Sequence, residues 1–120
     1  MTSIKQYRDN AYCRLAIVLT AHALDVPARD IAAPTRGDRD VAYARQVAMY
    51  LAHVAFGMSL ARVATGFDRD RSTVAHACHI IEDKRDDSDF DAWIDALEAA
   101  CVLVPPPISG AGPYSVGAGA

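Results

Sequence analysis

The side chains best suited to binding chemistry begin with a carboxylate, a guanidinium and two hydroxyls in succession, at Asp70, Arg71, Ser72 and Thr73. Apolar side chains follow at helical spacing, at Val74, Ala77, Cys78 and Ile81. A helix here would bury that stripe and leave its polar, basic N-terminal end open to solvent. Forked guanidinium donors and hydroxyls at such an end suit hydrogen bonding to the edges of nucleic-acid bases.

A shorter amphipathic stretch precedes this helix. Ser59 is a suitable N-cap, and the apolar side chains that follow are Leu60, Val63, Ala64 and Phe67. Residues 66–69 are expected to form a tight turn, with Asp70 as the N-cap of the second helix. A short helix, a turn and a longer helix with a polar N-terminus form the helix-turn-helix pattern, whose second helix enters the major groove of DNA. The pattern therefore predicts binding to duplex DNA.

The same stretches carry a family resemblance. The runs ARQVAMYL (44–51), MSL (58–60) and STVAHAC (72–78), together with Phe67, Arg69 and Asp70, resemble the C-terminal DNA-binding domain (domain IV) of the bacterial replication initiator DnaA. The resemblance extends from roughly Leu15 to Ala100. It implies an all-α, compact helical domain with a helix-turn-helix of the kind also found in Trp-repressor-like folds.

The resemblance also implies roles for residues upstream of the helix-turn-helix. Arg39 matches the family's basic loop and is implied to enter the minor groove, while Arg45 and Gln46 are implied to contact the DNA backbone. A solvated connector is the alternative for the Arg39 loop, and packing is the alternative for Arg45. The full set of expected DNA-binding residues is Arg39, Arg45, Gln46, Arg62, Arg69, Asp70, Arg71, Ser72, Thr73 and His76.

Two departures from the family pattern predict a changed DNA preference. The turn after Phe67 is one residue shorter than the family's usual Gly-Gly-Arg-Asp, and Arg71 stands where the family commonly has histidine. Arginine offers two donors that match guanine O6 and N7. We therefore expect guanine opposite Arg71.

The charge balance must be understood locally. The net charge is −3, which is unusual for a protein whose affinity would come from neutralised phosphates. Residues 29–85 nevertheless contain nine Lys or Arg against seven Asp or Glu, whereas residues 86–100 contain six acids and no base. DNA binding requires one shared basic surface, expected to include Arg36, Arg39, Arg45, Arg62, Arg69 and Arg71.

The remaining elements follow from hydrophobic period and helix signals. The pattern of residues 4–24 predicts a helix that is apolar around most of its circumference. Such a helix must be covered on more than one side, either by packing deep in the core or by a dimer interface. A short turn of helix is expected over 27–31 with Pro27 first, then a charged loop over 34–40. A central helix is expected over 41–56, and its apolar stripe, which should be buried, consists of Val41, Ala44, Ala48, Leu51 and Ala55. A last helix capped by Ser88 buries Phe90, Ile94, Leu97, Cys101 and Val104, and three prolines end it.

These patterns predict a DNA-binding domain over residues 1–104 and a disordered Pro/Gly/Ala-rich tail over 105–120, in which Tyr114 and Val116 could mark a partner motif. The three cysteines form no CxxC pair and are expected to be reduced core residues. We expect no metal, no cofactor and no catalysis, since the chain has no phosphate-binding loop or nucleophile elbow. No membrane span or targeting segment is evident, so a cytoplasmic, nucleoid-associated protein is expected.

The most specific functional hypothesis is transcription regulation by a monomer or homodimer bound to double-stranded DNA. Some small bacterial regulators that this chain resembles look like activators of phage-derived or gene-transfer-agent loci. An activator would contact RNA polymerase or another transcription protein, through the acidic last helix or the tail. The alternative is a protein-interaction module that keeps the fold and binds a replication or transcription protein through its acidic face.

Overall fold

The chain folds into six α-helices in the computed structural model, which describes residues 3–108. The helices span Ile4–Leu24 (α1), Ala28–Ala32 (α2), Arg39–Val54 (α3), Leu60–Phe67 (α4), Arg71–Lys84 (α5) and Ser88–Leu103 (α6). Since residues 3–108 contain no strand, the expected all-α helix-turn-helix architecture is confirmed. Within the same residues, no helix is both long and apolar enough to cross a membrane.

Helix α3 is the centre of the fold, and its most extensive packing is against α1 and α5. Three alanines one turn apart, Ala44, Ala48 and Ala52, are fully buried and let the neighbouring helices approach closely. Leu51 on α3 and Ile81 on α5 are both 0% exposed. Their burial was expected from the helical stripes of the sequence and is confirmed.

The start of α3 differs from the prediction. The helix begins at Arg39, two residues before the expected Val41, because Asp38 takes the N-cap position and its carboxylate accepts the backbone N–H of Val41 at 2.9 Å. Gly37, just before the cap, has a φ of 76°, which favours glycine. Arg39 therefore projects from the first helical turn, and the preceding loop ends earlier than we expected.

Helix α1 lies in the core, which was one of the two expected placements. It packs on α3, α2 and α4, and it buries Cys13, Ala16, Ile17 and Thr20. Helix α2 begins at Ala28 with Pro27 at the N-cap position, one residue later than predicted. Asp25, in the left-handed region at φ 55°, ends α1 and turns the chain toward α2.

The helix-turn-helix consists of α4, a two-residue connection and the cap of α5. Helix α4 continues through Gly66 to Phe67, so the expected turn over 66–69 is shorter than predicted. Asp68 adopts the left-handed conformation at φ 54°, and the N–H of Arg69 reaches the carbonyl of Ala64 at 2.9 Å. This bond and the bond from the Asp68 N–H to the Thr65 carbonyl at 3.3 Å satisfy the last carbonyls of α4 as in a Schellman motif. Asp70 occupies the N-cap position of α5, but its side chain caps no backbone N–H.

Helix α6 is held by one arginine in addition to its apolar side chains in the core. Arg85, between α5 and α6, donates to Asp91 at 2.6 Å, to Glu98 at 2.8 Å and to the Tyr50 hydroxyl at 3.0 Å, and it also pairs with Asp95. The cap of α6 is Asp87, whose carboxylate accepts two backbone N–H groups, so the prediction of Ser88 as cap is wrong by one residue. Ile94 and Cys101 are the fully buried members of the expected apolar stripe of α6.

Candidate nucleic-acid interface

Arg45 is a buried guanidinium at the junction of α2, α3 and the loop between them. Only 5% of the residue is exposed. It donates to the carbonyls of Ile31 at 2.8 Å, Asp30 at 2.9 Å and Arg36 at 2.9 Å, with a longer bond to Ala33 at 3.4 Å. Of the two expected roles of Arg45, packing and contact with the DNA backbone, the geometry of the structure corresponds to packing. Contact with a DNA phosphate would require Arg45 to release the carbonyls of Asp30, Ile31 and Arg36, which accept from no other side chain within residues 3–108.

Arg69 holds the same loop from the helix-turn-helix side. Its guanidinium donates to the Ala33 carbonyl at 2.8 Å and to the Phe67 carbonyl at 3.1 Å. The Ala33 carbonyl thus accepts hydrogen bonds from both arginines. Burial is the main cause that lowers the pKa of Arg45 below its ordinary value, and the nearby positive charge of Arg69 lowers it further. The two side chains fix the position of the α2–α3 loop relative to α5.

A concavity opens between this loop, α3 and α5, and it contains no carboxylate. Its volume is about 280 Å³. The polar and charged side chains that line it are Arg36, Arg45, Gln46, Arg69, Thr73 and His76. Five of these belong to the expected set of DNA-binding residues and Arg36 to the expected basic surface, and the structure brings the six together. A depression with three arginines and no acid has a positive local field, which attracts phosphate.

The N-terminal end of α5 lies beside this concavity and is open to solvent. Asp70, Arg71, Ser72 and Thr73 are all exposed. Within residues 3–108 their side chains form no hydrogen bond or ion pair, so their donors and acceptors are available to a ligand. In the sequence of α5, His76 follows one turn later on the same side as Thr73 and is also exposed.

A second concavity adjoins the first at Arg36, Ala42 and Gln46. It has a volume of about 380 Å³ and continues past Arg39, Asp40 and Tyr43 to Lys84 at the end of α5. Tyr43 and Lys84 were not among the expected DNA-binding residues. The signal was helical spacing: Arg39, Tyr43 and Gln46 fall on one side of α3 at intervals of four and three residues.

Arg62 lies away from these concavities and lines neither of them. Its guanidinium pairs with the carboxylate of Asp9 on α1 through two hydrogen bonds, one of them 2.8 Å long. The hydrogen bond from Arg62 lowers the pKa of Asp9, and the same bond raises the pKa of Arg62. The structure therefore does not gather all six expected arginines on one surface, and a phosphate contact by Arg62 would compete with Asp9.

The negative charge of α6 is partly neutralised by Arg85. Three carboxylates of α6, those of Asp91, Asp95 and Glu98, face Arg85. The hydrogen bonds to Asp91 and Tyr50, together with the charge of Glu98, raise the pKa of Arg85. Asp89 in the first turn of α6 is exposed. Six of the fifteen acidic residues thus sit on α6 and the turn before it, and these six line neither basic concavity.

The cysteines and histidines give no sign of a metal centre in the part of the chain that is described. No group of three His, Cys, Asp or Glu side chains there could hold an ion. Cys13 and Cys101 are buried and Cys78 is half-buried, all as free thiols. Burial raises the pKa of Cys13 to about 12, so this thiol stays protonated at neutral pH.

Comparison with known proteins identifies relatives of this arrangement. A family model described as the bacterial DnaA protein helix-turn-helix matches residues 16–81. The chromosomal replication initiator protein DnaA of Lactococcus lactis subsp. cremoris is 38% identical over 71 residues, which are 58% of this chain and 15% of that protein. The chromosomal replication initiator protein DnaA 1 of Protochlamydia amoebophila is 41% identical over 64 residues, 53% of this chain and 14% of that protein.

A solved structure supports the same relationship. The crystal structure of a DNA replication initiation factor superposes with a TM-score of 0.72 at 26% sequence identity, over 81% of this chain and 30% of that chain. The chain thus spans only 14–15% of the length of the curated relatives it matches.

Proposed function

Because the chain belongs to the bacterial DnaA helix-turn-helix family, whose fold implies DNA binding, we propose that it binds duplex DNA sequence-specifically and regulates transcription. One observation carries the proposal: the side chains at the start of α5, which form no hydrogen bond or ion pair within residues 3–108, lie beside a concavity that holds three arginines and no carboxylate. The first feature can read bases and the second can hold phosphates. A sequence-specific DNA-binding protein needs both.

In the proposed complex, the N-terminal turn of α5 lies in the major groove. Arg71 donates to guanine, while Asp70, Ser72 and Thr73 contact neighbouring base edges. Arg39, exposed in the first turn of α3, enters the minor groove. Because Arg39 projects from a helix, its position is better fixed than that of a residue on a mobile loop.

Phosphate contacts orient the protein on the duplex. Gln46 and His76 line the carboxylate-free concavity, and the exposed Arg36 stands at its rim. We assign Arg45 and Arg69 a mainly positioning role there, since their guanidinium groups hold the α2–α3 loop by its carbonyls. Their positive charge still adds to the field that attracts the backbone.

The narrower proposal is that DNA binding serves transcription, by activation at a phage-derived or gene-transfer-agent locus. An activator needs a contact to RNA polymerase or another transcription protein, and α6 is the element best placed for it by exposure. Its last turn exposes Val102 at 75% and Leu103 at 83%, and its first turn exposes Asp89. Neighbouring exposed apolar side chains, such as Val102 and Leu103, favour a protein contact.

The proposed DNA binding is tested by selecting bound duplexes from a random pool and then measuring affinity for the enriched site as salt is raised. We expect one enriched sequence and a steep linear fall of log K with log salt, from release of counterions. Arg71→Ala should lose the sequence preference, whereas the control Arg14→Ala, at an exposed position of α1, should keep it. Absence of any DNA retention at low salt would overturn the proposal and favour a protein-interaction module.

The narrower proposal needs its own experiment. A reporter driven by a promoter that carries the selected site should respond to the wild-type chain, and Leu103→Glu should abolish activation without changing DNA affinity. Repression by both proteins, or no response from either, would contradict the activator assignment while leaving DNA binding intact.

A further inference from the structure

The second concavity is basic, and it includes Tyr43 and Lys84, which were not expected from the sequence to bind DNA. Arg36, Arg39 and Lys84 contribute three positive side chains, against the single carboxylate of Asp40. It joins the first concavity through shared walls. We call the two together the basic trough, which runs between α3 and α5 from Thr73 near the start of α5 to Lys84 at its end.

Lys84 is held in place at the end of the trough. Its ammonium nitrogen lies 5.4 Å from the ring centre of Tyr43, within the range of a cation–π interaction. Burial raises the pKa of Tyr43, so the ring stays neutral and keeps its hydroxyl proton. Among residues 3–108, no carboxylate oxygen lies within 4 Å of this ammonium group. The charge of Lys84 is therefore oriented by a ring and is not neutralised by an ion pair.

The dimensions of the trough suit a nucleic-acid strand. The eleven-residue step from Thr73 to Lys84 corresponds to about 17 Å along the axis of α5. One strand of B-DNA advances about 3.4 Å along the duplex axis per phosphate, and its own path is longer than that advance, so the trough accommodates at most a few consecutive phosphates. A neutral aromatic wall and amide and guanidinium donors suit the sugar and phosphate of such a strand.

A geometric requirement indicates which strand this is. A protein with Arg39 in the minor groove and α5 in the adjacent major groove must straddle the single sugar-phosphate backbone that separates the two grooves. Arg39 of α3 and Lys84 of α5 both line the trough. We propose that the trough seats this backbone and that Lys84, positioned by Tyr43, contacts one of its phosphates. The proposal rests on the DNA binding proposed above and extends the contact surface to the C-terminal end of α5.

The sequence provides a matched control, because its two lysines are Lys84 and Lys5. Lys5 is exposed in the first turn of α1 and lines neither concavity. Lys84→Gln should lower the slope of log K against log salt by about 0.9, the value for one phosphate contact on B-DNA. Between about 50 and 200 mM salt, the wild-type loss of affinity should then exceed that of Lys84→Gln by a factor of roughly 3.5. Lys5→Gln should retain the wild-type slope, and both variants should select the same sequence.

Substitutions at Tyr43 separate the positioning role from folding. Tyr43→Phe keeps the ring under the ammonium group and should keep the wild-type salt slope. Tyr43→Leu removes the ring, and it should reduce affinity in the wild-type background but have little further effect in Lys84→Gln. Equal losses of affinity for Tyr43→Leu in both backgrounds would overturn the coupling between the two side chains.

Lysine acetylation followed by mass spectrometry provides a readout that requires no variant. Bound duplex should slow the acetylation of Lys84 and leave that of Lys5 unchanged. Wild-type binding with unprotected Lys84 and an unchanged salt slope for Lys84→Gln would overturn this inference alone. Absence of wild-type binding to any duplex would instead overturn the function on which it rests.

Discussion

Two arginines of α3 show how residue type alone leaves a role open. Arg39 and Arg45 lie six positions apart, and both were expected to contact DNA. The structure leaves Arg39 exposed in the first turn, whereas Arg45 is 95% buried and bonded to backbone carbonyls. An exposed arginine such as Arg39 can bind phosphate or bases. The buried Arg45 instead donates hydrogen bonds to backbone carbonyls of the loop.

A matched pair of substitutions separates these roles. Arg39→Ala should weaken specific DNA binding by about 1–3 kcal/mol, the range for a lost base-edge contact, and leave the urea midpoint unchanged. Arg45→Gln should destabilise the fold by about 1–3 kcal/mol, because it leaves buried carbonyls unpaired. DNA titrations and urea unfolding of both variants check the prediction. A stable Arg45→Gln protein with lost affinity would instead assign Arg45 a direct DNA contact.

Arg71 determines the expected base preference. Wild type should prefer guanine at the contacted position, and Arg71→His should shift the preference toward thymine-rich sites. A good bidentate arginine–guanine pair discriminates by about 1–3 kcal/mol. The test is a competition between a consensus initiator box and the selected site, for both proteins. Tightest wild-type binding to the initiator box would contradict the prediction.

At the scale of elements, the helix-turn-helix depends on a close approach between α1 and α4. A Cβ added at Gly66 would lie 2.4 Å from the sulfur of Cys13 and 3.4 Å from its Cβ. Glycine is therefore required by space rather than by backbone conformation at this position. The ion pair between Arg62 and Asp9 joins the same two helices at the surface. Helix α1 thereby sets the position of α4.

A double-mutant cycle tests this contact. Gly66→Ala should destabilise the protein by about 1–3 kcal/mol, since the methyl group overpacks the α1–α4 interface. Cys13→Ala removes the sulfur and leaves an ordinary carbon–carbon contact, so the double variant should lose less stability than the sum of the single variants. Urea unfolding of the four proteins measures the coupling. Strict additivity would show that Cys13 does not limit this approach.

At the scale of the whole molecule, the burial of tyrosine and cysteine side chains makes the stability of the fold depend on pH in the alkaline range. Burial raises the pKa of Tyr50 and of Cys13 to about 12, and the pKa of Cys101 to about 11. The ordinary values are 10.0 for tyrosine and 9.0 for cysteine. At a pH between the ordinary and the raised pKa of each group, the folded chain binds more protons than the unfolded chain. The free energy of unfolding is therefore highest below about pH 9 and falls as pH rises toward about 12.

This pH dependence is measurable under reducing conditions. The urea midpoint should fall between about pH 8 and pH 10.5, and Cys13→Ala should make the fall shallower because one linked proton is lost. Far-UV circular dichroism follows the transition. A midpoint that is equal or higher at the alkaline pH would show that these protons are not held more tightly in the folded chain.

The sequence by itself determined the element order and the family of this protein. Helical periodicity predicted the apolar faces that are buried, including Leu51 and Ile81, and helix signals fixed α1 at Ile4–Leu24. Boundaries moved where a neighbouring acid proved to be the better cap, as Asp38 did for α3 and Asp87 for α6. Local patterns determine these features because hydrogen bonding and periodicity act over a few residues.

Only the tertiary structure decided which charges are free. Arg45 and Arg62 look alike in sequence, yet one is enclosed by loop carbonyls and the other pairs with Asp9, 53 residues away. The juxtaposition of Lys84 with Tyr43 likewise joins residues on two helices. Such contacts depend on how α1, α3, α4 and α5 pack together, because helix packing brings together side chains that lie far apart along the chain.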